Sequence, residues 1–327
     1  MKAVRFHDFG GPEVLRYEDV ETPVPGAGQA RIRVAATSFN DLDATLRGGG
    51  LEGGSPLRLP HTPGMDVAGT VDALGSGVDE IVVGDRVVGL LPMTAPGAAA
   101  QHVLAPAELL TGVPKRLALA DLAALPLSGL TAWQALHEHG GLRAGQRVLV
   151  IGAGGAVGGY AVQLAKEARA HVIATASPRS AVRVKAAGAD EVIDHTLADP
   201  LTDPLTDTLT DLARAVVEPV DLVLNLAPIG AQRLAALVPR IRRGGALVTT
   251  STGAPAACAA ERGVRGIDLL VRSDADQLAD LVARVCTGEL LVDVAERVAL
   301  ADLPALHARA HAGQLPPGKV VVLVPPA

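Results

Sequence analysis

Aromatic side chains are scarce in this chain. Among 327 residues only Phe6, Phe9, Tyr17, Phe39, Trp133 and Tyr160 carry one, so the core has to be built from Val, Leu and Ala. Cysteine is scarcer still. Cys258 and Cys286 have no ligand spacing, which excludes a disulfide framework. Excess positive charge is missing: 29 Lys and Arg stand against 35 Asp and Glu, a net charge of −6. That argues against a nucleic-acid or anionic-membrane surface. The longest uncharged apolar stretch, Leu122 to Leu136, is broken by Pro126, Ser128, Gly129 and Gln134 and is too short to span a bilayer. The opening MKAVRFHDFG shows no apolar signal-peptide region, so the expectation is a soluble cytoplasmic protein. No GxSxG elbow or other nucleophile context occurs, which leaves hydrolysis without support.

What is abundant is aliphatic sequence, with 49% hydrophobic residues over a length sufficient for two domains. The stretch RVLVIGAGGAVGGYAVQLAK, Arg147 to Lys166, organises the rest. Val148 to Ile151 is a short apolar run with the composition of a buried strand. Glycines at 152, 154 and 155 follow, and from about Ala156 the apolar residues Ala161, Leu164 and Ala165 recur on one helical face. Strand, glycine turn and helix in that order suit a dinucleotide pyrophosphate. The turn brings backbone close to phosphate, and the helix presents unpaired N–H groups to negative charge. Gly152, Gly155 and Gly158 form GxxGxxG rather than the commoner GxGxxG, a weak motif alone that gains weight from its context.

Residues 1–118 read as a β-rich, barrel-like domain, with QARIRVAAT alternating as a half-buried strand does and no long helical period. Ala-Leu periodicity runs from Leu119 to residue 137. Beyond Lys166, strands at HVIATA, EVID, VDLVLNLA, GALVTTS and GIDLLV alternate with helical segments at SAVRVKAAGA and Gln232 to Leu237. This pattern predicts a doubly wound parallel sheet over 119–271. Residues 272–327 carry a helix (Asp276 to Gly288), a strand at RVAL, a helix at Leu303 to Ala310 and the strand GKVVVLV, and are expected to rejoin the first domain. DPLTDPLTDTLTDL, 199–212, is a four-residue repeat read as an expanded loop running into a capped helix. His307 and His311 have a metal-compatible spacing but no HExxH and no third ligand nearby, and read as a solvated helix edge. His137 and His139 cannot share a helix face. Trp133 and Tyr160 read as packing residues.

Seven ordered blocks then resemble one family. They are GGPEVLRYEDV, SFNDLDATLRGG, LPHTPGMDVAGTVDALGSGV, VGDRVVGL, LPLSGLTAWQAL, the glycine turn with AVQLAK, and GKVVVLV. Together they resemble the zinc-independent quinone oxidoreductase, zeta-crystallin-like branch of the medium-chain dehydrogenase/reductase superfamily. The resemblance implies an α/β chain with a GroES-like β-barrel domain and a Rossmann domain, NADPH, and hydride delivery to a quinone or activated alkene. Zinc-dependent relatives hold their catalytic metal at positions that match Asn40, Met65 and Ser128 here. None of these is a strong zinc ligand, so no metal is expected.

The resemblance also assigns residues. Gly152, Gly154, Gly155, Ala156, Val157 and Gly158 would hold the diphosphate. The second strand of the nucleotide domain ends in ATASPRS, without the carboxylate of NAD sites, and Ser177 and Arg179 suit a 2′-phosphate, with Arg183 adding to the field. A solvated loop arginine is the alternative. His195 stands where relatives often carry a tyrosine beside the adenine. Thr131 matches a threonine near the nicotinamide, or else a helix-start hydroxyl. Asn225 and Ser251 lie at strand carboxyl ends, where open α/β sheets bind ligands. Lys319 matches a lysine reaching the cofactor cleft. Phe39, Asn40, Leu46, Met65 and Ser128 would line the substrate pocket, Asn40 positioning a carbonyl or else forming an Asx turn.

No tyrosine follows the NDLD block, and Asp43 reads as an ionised structural acceptor, so protonation is expected from solvent. An enoyl or alkenal reductase, and a non-catalytic NADPH-binding sensor or structural protein of the crystallin kind, remain as alternatives. A homodimer paired through GIDLLV is expected by the same resemblance.

Overall fold

The computed structural model describes residues 1–50, 57–196, 216–254, 258 and 263–326, and the PLTD repeat lies outside the described residues. The chain packs as two units, one made of Met1–Leu127 with Ser273–Ala327, the other of Ser128–Arg272. In chain order, strands β1 (Lys2–Phe6), β2 (Leu15–Asp19) and β3 (Gln29–Ser38) precede a short helix α1 (Asp41–Arg47). Then come β4 (Asp66–Leu74), β5 (Arg86–Leu90), β6 (His102–Pro106), β7 (Leu110–Gly112) and α2 (Pro126–Trp133). Next are β8 (Arg147–Ile151), α3 (Ala156–Glu167), β9 (His171–Ala176), α4 (Ala181–Ala186), β10 (Glu191–Asp194), β11 (Val220–Asn225), α5 (Ala231–Ala235), β12 (Ile241–Thr249) and β13 (Arg265–Asp268). The last are α6 (Ala275–Thr287), β14 (Val294–Ala299), α7 (Leu303–His311) and β15 (Lys319–Leu323).

In the first unit, β3 is the shared strand. Its alternating sequence buries Ala30, Ile32, Val34 and Ala36. One edge pairs with β4, while the other carries β6 along residues 29–33 and β15 along 36–38, all antiparallel. The core against it is aliphatic, as the shortage of rings demands: Val4, Ile32, Val67, Val87, Val103 and Leu306 sit around Phe6 and Phe39. Helix α1 is too short to leave a period in the sequence. Its head is set by Asp43, whose carboxylate accepts from the Asn40 backbone N–H (3.1 Å).

The second unit is a six-stranded, wholly parallel sheet in the spatial order β10-β9-β8-β11-β12-β13. By order of appearance this is 3-2-1-4-5-6, the Rossmann arrangement, with the strand order reversing between β8 and β11. Its strands are apolar on both faces, as a sheet covered on two sides requires. The strand expected at GIDLLV is shorter than that run. It stops at Asp268, whose carboxylate turns to accept from the N–H groups of Gly253 (2.9 Å) and Ala254 (2.8 Å). The Ala-Leu period becomes α2 and runs on through Gln134–His139 with wider turns, the Gly140 N–H reaching Ala135 O at 2.9 Å.

His307 corrects the sequence reading. His311 is exposed, but His307 is only 1% exposed, because Leu303, Leu306 and His307 form the inward stripe of α7. Arg47 Nη1 donates to His307 Nδ1 (3.0 Å), and the Phe39 ring meets the imidazole edge-on at 4.9 Å. Arg47 also donates from Nε to Gly10 O (3.1 Å). Burial, aided by the Arg47 charge, pushes the pKa of His307 down to about 3. The unfolded chain takes up a proton at this residue below about 6.5 whereas the folded chain does not, so stability falls as the pH drops from 6.5 toward 3. His307→Gln keeps an acceptor for Arg47 without titrating. Urea unfolding at pH 7 and pH 5 is expected to show the wild type losing on the order of 2 kcal/mol more than the variant. Equal losses would mean that this imidazole does not govern the acid response.

Candidate active site

The glycine turn after β8 is held by β9. Gly152 takes φ +82°, a region that L side chains avoid, and its N–H donates to Thr175 Oγ1 (3.0 Å). The neighbouring Ala153 N–H donates to Thr175 O (3.2 Å). Gly158 allows a close approach: a Cβ there would lie 2.5 Å from Ala153 Cα and from Gly152 O, so no other residue lets α3 lie against the turn. Gly155 is the N-cap, and the N–H groups of Ala156, Val157 and Gly158 have no hydrogen-bond acceptor among the described residues. A twelve-residue helix thus aims three open amides outward at the carboxyl edge of the sheet, beside the reversal in strand order. That is the electrostatic and steric fit a diphosphate needs.

The other predicted cofactor residues of this unit lie around the same edge. Ser177 begins the turn after β9, with its N–H donating to Ser180 Oγ (3.2 Å), and Arg179 is exposed on that turn while Arg183 is half-buried one turn into α4. His195 is exposed just past β10, its N–H donating to Ala176 O (3.3 Å). Asn225 and Ser251 are brought together at the ends of β11 and β12. Asn225 Nδ2 donates to Thr249 Oγ1 (2.8 Å), Ala227 O (2.9 Å) and, more distantly, Ser251 Oγ (3.4 Å). Thr131 is buried inside α2, six residues along, and not at a helix start.

The first unit holds a buried polar cluster that the sequence reading only half found. Asp66, at 0% exposure, opens β4. Its carboxylate accepts from the Ser38 hydroxyl, from Asn40 Nδ2 (2.9 Å) and from the Leu127 N–H (2.7 Å), and lies 3.4 Å from the Lys319 ammonium. Lys319 also donates to Asn40 Oδ1. The Asn40 amide is therefore engaged at both ends within the chain, and Asn40 and Lys319 are direct partners. Asp43 accepts from the Gly64 N–H (2.9 Å) besides Asn40. Burial pushes its pKa up to about 6, with the Gly64 hydrogen bond opposing and the Asp66 charge assisting. Asp43 thus accepts hydrogen bonds as the sequence reading expected.

Of the five predicted pocket residues, Leu46 and Met65 share a small, shallow pocket that Asp43 and His61 also line. Phe39 packs into the core against His307, Asn40 belongs to the Asp66 cluster, and neither lines this pocket. Ser128 is buried, with its hydroxyl lacking a hydrogen-bond partner among the described residues. Among the described residues no group of three or more His, Cys, Asp or Glu is placed to hold a metal ion, and no helix is long and apolar enough to cross a membrane. Asp66, Thr175, Thr249 and His61 escaped the sequence reading. Asp66 alone left a clear signal, a lone carboxylate at the head of the buried run DVAG.

Comparison with known proteins agrees with this layout. The chain matches the alcohol dehydrogenase GroES-like domain family over residues 26–115 and the zinc-binding dehydrogenase family over residues 187–322. It is 39% identical over 201 residues to a chloroplast envelope quinone oxidoreductase homolog of Arabidopsis thaliana, covering 60% of this chain and 61% of that protein. The chain spans about 60% of the length of the curated relatives it matches. Among solved structures, the quinone oxidoreductase from Coxiella burnetii superposes with a TM-score of 0.89 at 30% identity over 99% of each chain. A mycobacterial protein, Rv1454c, solved in complex with NADPH, gives a TM-score of 0.82 at 30% identity, again over 99% of each chain.

The Asp66 cluster is open to direct test. Lys319→Met strands a buried carboxylate and is expected to cost about 3–5 kcal/mol in urea unfolding. Combining it with Asp66→Asn is expected to cost clearly less than the sum of the two single changes. Additive losses would mean that the pair is not coupled.

Proposed function

The chain belongs to the medium-chain dehydrogenase/reductase superfamily, in its quinone oxidoreductase branch, and from that premise we propose that it transfers hydride from NADPH to a quinone or an α,β-unsaturated carbonyl compound without zinc. The observation that carries this reading is the junction of β8, glycine turn and α3, with open amides on Ala156, Val157 and Gly158 at the reversal of strand order. A reduced nicotinamide, when bound, supplies the hydride. The chain supplies anion binding, orientation and an apolar surround. Gly152, Gly154, Gly155 and Gly158 let backbone approach the phosphates. Asn225 and Ser251, tied to Thr249, fix the neighbouring rim. Thr131 and His195 complete the cofactor-side residues of this unit, while Lys319, buried against Asp66 and Asn40, belongs to the first unit's polar cluster.

The choice of NADPH over NADH rests on Ser177, Arg179 and Arg183 after β9, where no Asp or Glu stands to accept from a ribose hydroxyl. A guanidinium pairs with 2′-phosphate oxygens instead. Zinc is left out because Asn40, Met65 and Ser128 provide no Cys or His ligand at the matched positions.

Two measurements test this. NADPH consumption with 1,4-quinones and with alkenals as acceptors is expected to show faster turnover of quinones, and Arg179→Ala is expected to lower the NADPH-over-NADH preference about tenfold or more, about 1.4 kcal/mol. A variant that keeps the full preference would remove Arg179 from the phosphate site, and cofactor binding without turnover of either acceptor class would leave a non-catalytic binding protein. We also propose a homodimer through β13, an edge strand followed by Leu270 at 68% exposure. Light scattering that returns the monomer mass of 33.3 kDa at micromolar concentration would exclude it.

A further inference from the structure

Ser180 ends the turn that follows β9. It is 3% exposed, whereas Pro178 and Arg179 before it are exposed and Ser177 is half-buried. A polar side chain so deeply placed is accounted for by what its hydroxyl touches. Its Oγ accepts from the Ser177 N–H (3.2 Å) and donates to Ser177 O (3.3 Å), with Ser177 Oγ 3.4 Å away. Ser177 O also accepts from the N–H groups of Ser180 and Ala181, both at 2.9 Å. Both polar backbone atoms of Ser177 are thus tied to the far end of their own turn.

The same side chain meets the glycine turn. A Cβ on Gly154 would lie 2.4 Å from Ser180 Oγ and 2.6 Å from Ser180 Cβ, so the two turns touch there with no room for a side chain between them. Thr175 holds the glycine turn independently, accepting from the Gly152 N–H on its hydroxyl (3.0 Å) and from the Ala153 N–H on its carbonyl (3.2 Å). One turn is therefore fixed by Thr175, and Ser180 sets the second turn against the first. Their separation is what a 2′-phosphorylated nucleotide would sense, because its 5′-diphosphate and its 2′-phosphate are carried on one ribose.

We propose that Ser180 is a specificity-determining positioning residue, whose hydroxyl holds the Ser177–Arg179 turn at the spacing from the glycine turn that a 2′-phosphorylated adenosine requires. The identity of the ligand rests on the NADPH reading above, and the place on the contacts of Ser180 itself. Ser180 needs no contact with the phosphate. Its effect passes through the Ser177 backbone and carries Arg179 with it, since a guanidinium discriminates by geometry only when the backbone beneath it is fixed. NADH carries only a hydroxyl at the 2′ carbon, and the turn offers no carboxylate to accept from it. A loosened turn therefore weakens NADPH and leaves NADH as it was.

Ser180→Ala removes the hydroxyl and keeps the Cβ that packs against Gly154. Fluorescence titration is expected to show NADPH affinity falling about 3- to 10-fold, the worth of one hydrogen bond, with NADH affinity held within about twofold. Binding of 2′,5′-ADP, which lacks the nicotinamide half, is expected to fall as NADPH binding does. Thr175→Val, which releases the glycine turn instead, is expected to weaken both coenzymes alike. Equal losses for both coenzymes in Ser180→Ala, a full NADPH preference there, or a Thr175→Val loss confined to NADPH would overturn the role of Ser180 and leave the cofactor reading standing. A wild type without preference for NADPH over NADH refutes the 2′-phosphate reading and the role of Ser180 together. Preference lost on Ser180→Ala in a protein that oxidises NADPH with neither quinones nor alkenals upholds the role of Ser180 and refutes hydride transfer instead.

Discussion

A carboxylate taken wholly out of water has to be compensated where it sits, and Asp66 is compensated by four groups from three stretches distant in sequence. Ser38 at the end of β3, Asn40 before α1, the Leu127 N–H in the first turn of α2 and Lys319 at the start of β15 all converge on it. Desolvating such a group costs several kcal/mol unless each lone pair finds a donor. The chain from residue 38 to residue 319 is therefore tied at one point, and the final strand is held there by an ion pair as well as by its ladder to β3. Asn40 is the go-between, accepting from the ammonium and donating to the carboxylate.

The nucleotide-type unit solves a similar problem without buried charge. The carboxyl edge of its sheet is made of backbone amides, and hydroxyls hold them still. Thr175 fixes the turn after β8 through both its side chain and its carbonyl. Thr249 accepts from Asn225, and the Thr249 and Ser251 hydroxyls lie 2.8 Å apart, which ties the ends of β11 and β12. Small residues matter here because any Cβ at Gly158 would displace the helix from the turn. Neutral, rigid dipoles suit a ligand that brings its own negative charge, since no fixed cation has to be desolvated first.

Much of this was legible in the sequence because it is periodic. Two-residue alternation located β3, continuous apolar runs located the parallel strands, and a 3.6-residue recurrence located α3 with Ala161, Leu164 and Ala165 inside. What escaped was aperiodic or chemical. His307 was assigned to solvent by residue type, although its spacing from Leu303 and Leu306 marked it as inward. Partners such as Arg47, 260 positions away in the chain, leave no local trace. Asn40 illustrates the limit from the other side. In the sequence a carbonyl-positioning amide and a turn-forming amide are indistinguishable, and neither reading contains Lys319 and Asp66, which stand on either side of it.

Whether Asp43 can give up a proton follows from how it is dressed. A carboxyl with a pKa of about 6 on a pocket wall invites assignment as a general acid. Yet its oxygens already accept from the Gly64 and Asn40 N–H groups, contacts that favour the ionised form. At pH 7 only about one molecule in ten carries the proton, and in that minority a hydrogen on either oxygen competes with an existing donor. Asp43 is thus built as an acceptor of hydrogen bonds, and the neighbouring block carries no tyrosine to give a proton in its place.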